Sequence, residues 1–240
     1  MTRARIAPDR RAAIAVEKLQ EGRAVDPAQE MLDTIVREAR ATGCETGRPQ
    51  LRSRVLEAIR SVPRDAFVPG DMVAHAYDNR PLPIGAGQTI SQPFIVALMT
   101  DLLDPESGDR MLEVGTGCGY QAAVLSRLVD AVYTIESIGD LGREAEQRLA
   151  SLGCDNVQVR VANGRDGWPE AAPFDGILVT AGATSVPPAL VEQLAPGGRL
   201  VIPVGSGRHG QQLRVLTRRE DGRTDQRTVL PVAFVPLQSA

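Results

Sequence analysis

The chain has 240 residues, 42% hydrophobic and 24% charged, enough for one sizeable core and too apolar for a wholly disordered polypeptide. Its formal net charge of -3 provides no global positive field, which argues against nucleic acid or an anionic membrane surface as a bulk partner. Three widely spaced cysteines, Cys44, Cys118 and Cys154, form no C-x-x-C pair, so neither a disulfide framework nor a zinc site is expected, and a cytoplasmic location fits.

In chain order, residues 9–22 and 28–41 carry apolar side chains at helical spacing, Ile14 with Leu19 and Leu32 with Ile35 and Val36. The turn signal Asp26-Pro27 separates these two predicted helices. Thr42 to Pro49, rich in Gly, Thr and Pro, predicts a hinge or loop, and Leu51, Val55, Leu56 and Ile59 predict a third helix ending at Pro63. Residues 65–92 are dense in Pro and Gly, include RPLPIGAGQTISQP, and predict a long irregular segment of the kind that usually carries function. Pro93 to Leu103 is helical in pattern again. Short Val/Ile/Leu runs then follow at 111–114, 132–136, 157–161, 176–180 and 199–204, alternating with helix-length segments. This alternation predicts an α/β fold, with right-handed βαβ units and a mostly parallel, doubly wound sheet covered on both faces. Residues 213–217 and 228–237 predict late strands, paired as a hairpin across DGRTD. No run approaches the roughly 18 apolar residues of a membrane helix.

The sharpest local signal is MLEVGTGCGY, in which an apolar run passes into Gly115, Gly117 and Gly119 and then into a helical pattern. A strand, a tight glycine turn and a helix N-terminus present free N–H groups with no Cβ in the way, which suits a nucleotide-like cofactor. The spacing is G-x-G-x-G rather than G-x-G-x-x-G, and Glu113 stands two residues before the first glycine. A pyrophosphate avoids such a carboxylate, whereas a ligand with an ammonium and a sulfonium tolerates it, so S-adenosyl-L-methionine is favoured over NAD. Glu136, ending the next strand run, is placed to accept hydrogen bonds from ribose hydroxyls. Asn163 and Gly164, after the third run, are placed to face the adenine, against the bland reading of an ordinary Asn-Gly turn.

Ser91 enters through distance. A helix from Pro93 to Leu103 rises roughly 16 Å at about 1.5 Å per residue, and a strand from Arg110 to Val114 returns roughly 16 Å at about 3.3 Å per residue. The two nearly cancel, which returns Ser91 to the sheet end that carries Gly115. Ser91 also suits the N-cap of the following helix, and capping and catalysis are compatible.

Together, IGAGQTISQP (84–93), LEVGTGCGY (112–120), FDGILVTAG (174–182) and LAPGGRLVIPVG (194–205) closely resemble the protein-L-isoaspartate O-methyltransferases. VPRDAFVP (62–69), AYDNRPLPIG (76–85) and the closing FVPL (234–237) extend the resemblance over roughly residues 30 to 238. It implies a class I S-adenosylmethionine-dependent methyltransferase fold, Rossmann-like, with N-terminal helices, in a methyltransferase domain over 30–240; residues 1–29 lie outside the resemblance and read as an N-terminal helical extension. Within that domain, 30–92 would hold helices and the active-site loop, and 93–240 the Rossmann-like core.

The resemblance also implies transfer of a methyl group from S-adenosyl-L-methionine, leaving S-adenosyl-L-homocysteine, to the carboxylate of L-isoaspartyl residues in damaged proteins and peptides. The ester would close to a succinimide that hydrolyses partly to normal aspartate, which is protein repair. Carried over by position, Ser91 matches the active-site serine, with Thr89 and Ile90 facing substrate beside it. Glu113, Gly115, Thr116, Gly117 and Gly119 match the first cofactor motif, Glu136 and Ser137 the ribose side, and Asn163 and Gly164 the adenine side. Where the family usually has Asp-Gly, this chain has Asn163-Gly164, for which weakened cofactor affinity is expected. Ser91 is assigned a positioning hydrogen bond, not a nucleophile's role, because the isoaspartyl carboxylate is already ionised at neutral pH. A monomer is expected, with no nucleic acid, membrane or metal.

Other residues carry weaker readings. His75 and His209 lack partners at ligand spacing and read as surface residues. Cys118 occupies a helix N-terminus that favours thiolate, with a small filler residue as the bland alternative. Trp168 and Phe174 read as packing. Three other functions stay open on the sequence: methylation of one dedicated peptide, a cofactor-binding module without catalysis, and an NAD-dependent oxidoreductase.

Overall fold

The computed structural model describes residues 26–206 and 210–238; the predicted helix over 9–22 and His209 lie outside the described residues. Helix α1 (Pro27–Ala41) starts where the turn signal placed it, with the Asp26 carboxylate accepting from Ala28 N at 3.0 Å and Pro27 in the first turn. It buries Met31, Leu32, Ile35 and Ala39 on one face. The stretch predicted as a loop contains a single helical turn, α2 (Gly43–Thr46), closed by Gly47 at φ 68°. Helix α3 (Ser53–Ser61) follows and buries Val55, Ala58 and Ile59.

The segment expected to be irregular is more ordered than its Pro and Gly content suggested. It holds 3-10 turns at Arg64–Phe67 and Gly70–His75 and an antiparallel hairpin, β1 (Leu82–Gly85) with β2 (Gln88–Ile90). Positive φ at Gly85, Ala86 and Gly87 reverses the chain within that hairpin. Helix α4 (Pro93–Leu103) then runs beneath the sheet, packed on α1, β6 and β7, which is why nearly every residue of it is buried.

The main sheet follows the predicted alternation. Strands β3 (Arg110–Val114), β4 (Ala131–Glu136), β5 (Val157–Val161), β6 (Phe174–Val179) and β7 (Leu194–Ser206) pair in parallel. Strands β8 (Gly210–Arg218) and β9 (Thr224–Val232) add an antiparallel edge, and the full order is β5-β4-β3-β6-β7-β8-β9. Helices α5 (Tyr120–Ser126), α6 (Gly139–Ser151) and α7 (Pro188–Glu192) connect the parallel strands. Alternation sorts the side chains by face: Met111, Leu178 and Val201 join the cluster under α1, α4 and α5, while Leu112, Ile177 and Ile202 join the opposite cluster with Trp168 and Phe174. Glu113, two residues beyond Met111, therefore faces the same side as Met111.

Two strand expectations need correction. β7 begins at Leu194, because Leu194 pairs with Phe174 before the register shifts to Gly176↔Arg199. The last strand stops at Val232 rather than 237. Beyond it the Gln211 amide replaces the ladder, donating to Phe234 O at 3.0 Å and accepting from Phe234 N at 2.7 Å. The chain then bridges to Gly182, with Gly182 N donating to Val235 O and Leu237 N to Gly182 O. No helix among the described residues is long and apolar enough to cross a membrane.

Candidate active site

Strand order reverses between β3 and β6, and in an open α/β sheet such a reversal leaves a crevice beyond the strands' carboxyl ends. The glycine turn lies there. Gly115 N and Thr116 N both donate to Ile135 O, and Thr180 Oγ1 donates to Val114 O at 3.1 Å and Gly115 O at 2.5 Å. Gly115 sits at φ 102°, and a Cβ on it would overlap Thr180 Oγ1. Across the crevice, a Cβ on Gly164 would overlap Val114 Cγ1. These are close approaches of chain to chain that leave the turn's backbone open towards the cleft.

Two carboxylates border that cleft. Glu113 is fully buried; Thr134 Oγ1 donates to its Oε2 at 2.5 Å, while its Oε1 has no partner. Burial pushes its carboxyl up to about 8, with the neighbouring Glu136 charge acting in the same direction. An unpartnered buried oxygen at a cleft wall is costly alone and suits a cationic group, such as the ammonium of S-adenosyl-L-methionine. Glu136 is occupied by its own loop: Oε2 accepts from Gly117 N at 2.7 Å, and Oε1 from Ile138 N at 3.0 Å and Ser137 Oγ at 3.4 Å. A carboxylate offers about four lone-pair directions, so Glu136 retains capacity for a ribose hydroxyl. The donor set and the open glycine backbone thus fit the cofactor.

Thr89, Ile90 and Ser91 line the same cleft, as do Gly115, Thr116, Gly117, Ser137 and Gly164. The helix-and-strand arithmetic therefore places Ser91 correctly. Its capping role does not survive, because the N-cap of α4 is Gln92, whose own side chain makes no capping bond, and Asn79 Oδ1 accepts from Phe94 N instead. Gly119 and Asn163 stand behind the cleft wall rather than in it. Gly119 faces Leu149 and Ala145 of α6 at the start of α5. Asn163 turns its amide oxygen to Arg165 N at 3.1 Å, capping a 3-10 turn, which is a local role the adenine reading did not include. Burial pushes the Cys118 thiol up, against the thiolate reading and in favour of the filler one. Trp168 and Phe174 pack edge-on against Tyr133, and half-exposed His75 pairs with Asp78.

Three elements escaped the sequence reading. Thr180 binds the glycine turn from β6's end, and Val235 to Gln238 close the cleft from the C-terminal side. Arg64 is fully buried beneath Ser91. Its Nε donates to Ala76 O at 2.8 Å, its Nη2 to Ser91 O at 2.7 Å, and its Cζ lies 4.8 Å from the Tyr120 ring centroid. No carboxylate pairs with it among the described residues, and Nη1 is unpartnered. The available signal was weak, a cation beside Asp65 in the short segment VPRDAF between Val62 and Phe67. A second cavity of about 570 Å³ lies on the far side of Ser91, sharing Thr89, Ser91, Thr180 and Val235 with the first.

Comparison with known proteins agrees with this geometry. The family described as Protein-L-isoaspartate(D-aspartate) O-methyltransferase matches residues 37–240. Protein-L-isoaspartate O-methyltransferase 2 of Polaromonas sp. is 57% identical over 207 residues, covering 86% of this chain and 98% of that protein. The protein of the same name from Nitrosococcus oceani is 57% identical over 209 residues, covering 87% and 95%. A solved protein-L-isoaspartate O-methyltransferase superposes with a TM-score of 0.76 at 26% identity, covering 87% of this chain and 66% of that one. A Plasmodium falciparum structure, described as a complex with S-adenosyl-L-homocysteine, shares the fold with a TM-score of 0.73 at 24% identity, covering 88% and 98%. The chain belongs to the protein-L-isoaspartate O-methyltransferase family.

Proposed function

We propose that the cleft behind the glycine turn holds S-adenosyl-L-methionine, that the 570 Å³ cavity receives an L-isoaspartyl peptide, and that Ser91 aligns the two. The activity is methylation of the isoaspartyl carboxylate in damaged proteins, the first step of repair. The observation that carries the site assignment is that Ser91 borders both cavities, with its hydroxyl spent on neither a helix cap nor another side chain among the described residues.

When bound, S-adenosyl-L-methionine supplies a methyl group on a sulfonium whose departing sulfur keeps the bonding electron pair. Glu113, through its unpartnered Oε1, would hold the ammonium, and Glu136, through its remaining lone pair, a ribose hydroxyl. Gly164 would let the adenine lie close to the chain, with Asn163 holding that turn in shape. The substrate carboxylate is already ionised, so no side chain needs to remove a proton. The Ser91 hydroxyl would donate to one carboxylate oxygen and so hold the other turned towards the cofactor cleft. Arg64, through the Ser91 carbonyl, fixes where that hydroxyl can point. The strap from Val235 to Leu237 and the loop at Thr89 and Ile90 limit water at the junction. Methoxide departs from the ester far more readily than oxide from the carboxylate, so the peptide's own backbone nitrogen closes the succinimide afterwards and methanol is released. We place the enzyme in the cytoplasm as a monomer.

The test is methyl transfer from radiolabelled S-adenosyl-L-methionine to matched peptides carrying isoaspartate or aspartate at one position. Base-labile label on the isoaspartyl peptide alone is expected. Label on neither peptide, with cofactor binding intact, contradicts the proposal.

A further inference from the structure

The cavity beyond Ser91 is walled by apolar and neutral groups, including Phe94, Ile95, Leu230, Val232 and Phe234, with one exception. Glu38, on α1, is the single ionisable side chain among its described lining residues. The carboxylate is half-buried, and burial raises its pKa. Its Oε1 accepts from Asn79 Nδ2 at 2.7 Å and its Oε2 from Gln92 Nε2 at 3.3 Å. Both donors are neutral amides, and no cation pairs with it among the described residues. Asn79 is itself anchored, its Oδ1 accepting from Phe94 N at 3.0 Å at the start of α4. The charge is thus held by Asn79 and by Gln92, the residue after Ser91, and both leave it uncompensated.

A half-dry wall weakens screening, so an uncompensated carboxylate there acts on whatever charge enters the groove. Glu38 shares the groove with Ser91 and binds Gln92, the next residue along, so an extended peptide with its isoaspartyl group at Ser91 would carry flanking side chains along the wall that holds Glu38. Lysine or arginine at those positions would supply the missing cation, and glutamate or aspartate would be repelled. We propose that Glu38 is a specificity-determining residue that selects isoaspartyl sites flanked by basic residues and disfavours those flanked by acidic ones. This rests on the reading that the groove beyond Ser91 takes the peptide.

The experiment compares isoaspartyl peptides that differ only by Lys, Gln or Glu at the positions flanking the target on either side, with wild-type protein, Glu38→Gln and Glu38→Lys. For the wild type, KM is expected to rise from the Lys to the Glu peptide by about tenfold at low salt, with the spread shrinking as ionic strength increases. Gln at position 38 can still accept from Asn79, so the helix start is kept while the charge is removed. Glu38→Gln is expected to bring the three KM values within about twofold, and Glu38→Lys to invert their order. A spread that persists in Glu38→Gln, or a wild type with no spread, overturns the assignment. Absence of methylation on every peptide instead overturns the isoaspartyl reading of the site, so the two failures are distinguishable.

Discussion

On the cofactor side of Ser91 the floor of the cleft is fixed to the carboxyl ends of parallel strands, at Gly115 to Cys118, Glu136 to Ile138, Gly164 and Thr180, with the β1–β2 hairpin and the Val235–Gln238 strap over it. On the peptide side the wall is side chains from separate segments, α1, the loop before β1, α4 and the end of β9. Residues 38, 92 and 234 meet there although far apart in the chain. The first wall tolerates almost no change of shape, whereas the second can be altered residue by residue. A cofactor that never varies and peptides that always vary call for that division.

The largest expected effect falls on the rigid wall. Gly115→Ala places a Cβ against Thr180 Oγ1 and forces a positive φ on alanine. Cofactor affinity measured by calorimetry should fall more than about a hundredfold, with a loss of roughly 2–3 kcal/mol in urea unfolding. Retained affinity would mean that the turn can be rebuilt and that the wall is less rigid than described.

The difference between the walls also explains what the sequence disclosed. The glycine turn is contiguous, so its ten residues announce the strand, the turn and the helix together, and the β/α alternation around it needs only local periodicity. Ser91 was reachable because one helix and one strand of known rise separate it from the turn. Glu38 and Arg64 had no such ruler, since their relation to Ser91 depends on how α1 and the Arg64–Phe67 turn pack on the core. The end of β9 was misjudged for a similar reason: its departure from the sheet depends on the Gln211 side chain, which competes for Phe234's backbone groups from a distance of 23 residues.

Arg64 lies beneath the boundary between the walls, and its loss should act on one side only. Arg64→Gln removes donors from the Ala76 and Ser91 carbonyls, an expense of roughly 1–3 kcal/mol per unsatisfied group. Peptide KM should rise about tenfold while cofactor affinity stays within about twofold. Equal weakening of both would place Arg64 in general support of the fold.

Glu113 links the cofactor wall to pH. Its folded value of about 8 lies above the ordinary 4.5, so the fold favours the neutral acid. Its contribution to stability is full below about pH 4.5 and is lost as pH rises through 8. Glu113→Gln should therefore be more stable than the wild type at pH 8, by roughly 1–3 kcal/mol, and should bind the cofactor about tenfold more weakly. Calorimetry in buffers of different ionisation enthalpy should show proton release on cofactor binding near pH 7 in the wild type and none in the variant. Proton release by both would assign it to another group.

The smallest effect is expected at Asn163, whose amide oxygen serves its own turn. Asn163→Asp keeps that acceptor and adds charge near the adenine, so the cofactor dissociation constant should fall about two- to threefold. An unchanged constant would confine Asn163 to its capping role.

The separation of the two walls at Ser91 is tested most directly by Ser91→Ala, with cofactor binding measured by calorimetry and methyl transfer to an isoaspartyl peptide measured in parallel. The expected result is a cofactor dissociation constant within about twofold of wild type and a fall in kcat/KM of roughly tenfold to a hundredfold. A dissociation constant that weakens together with kcat/KM, or a kcat/KM that does not change, would contradict it.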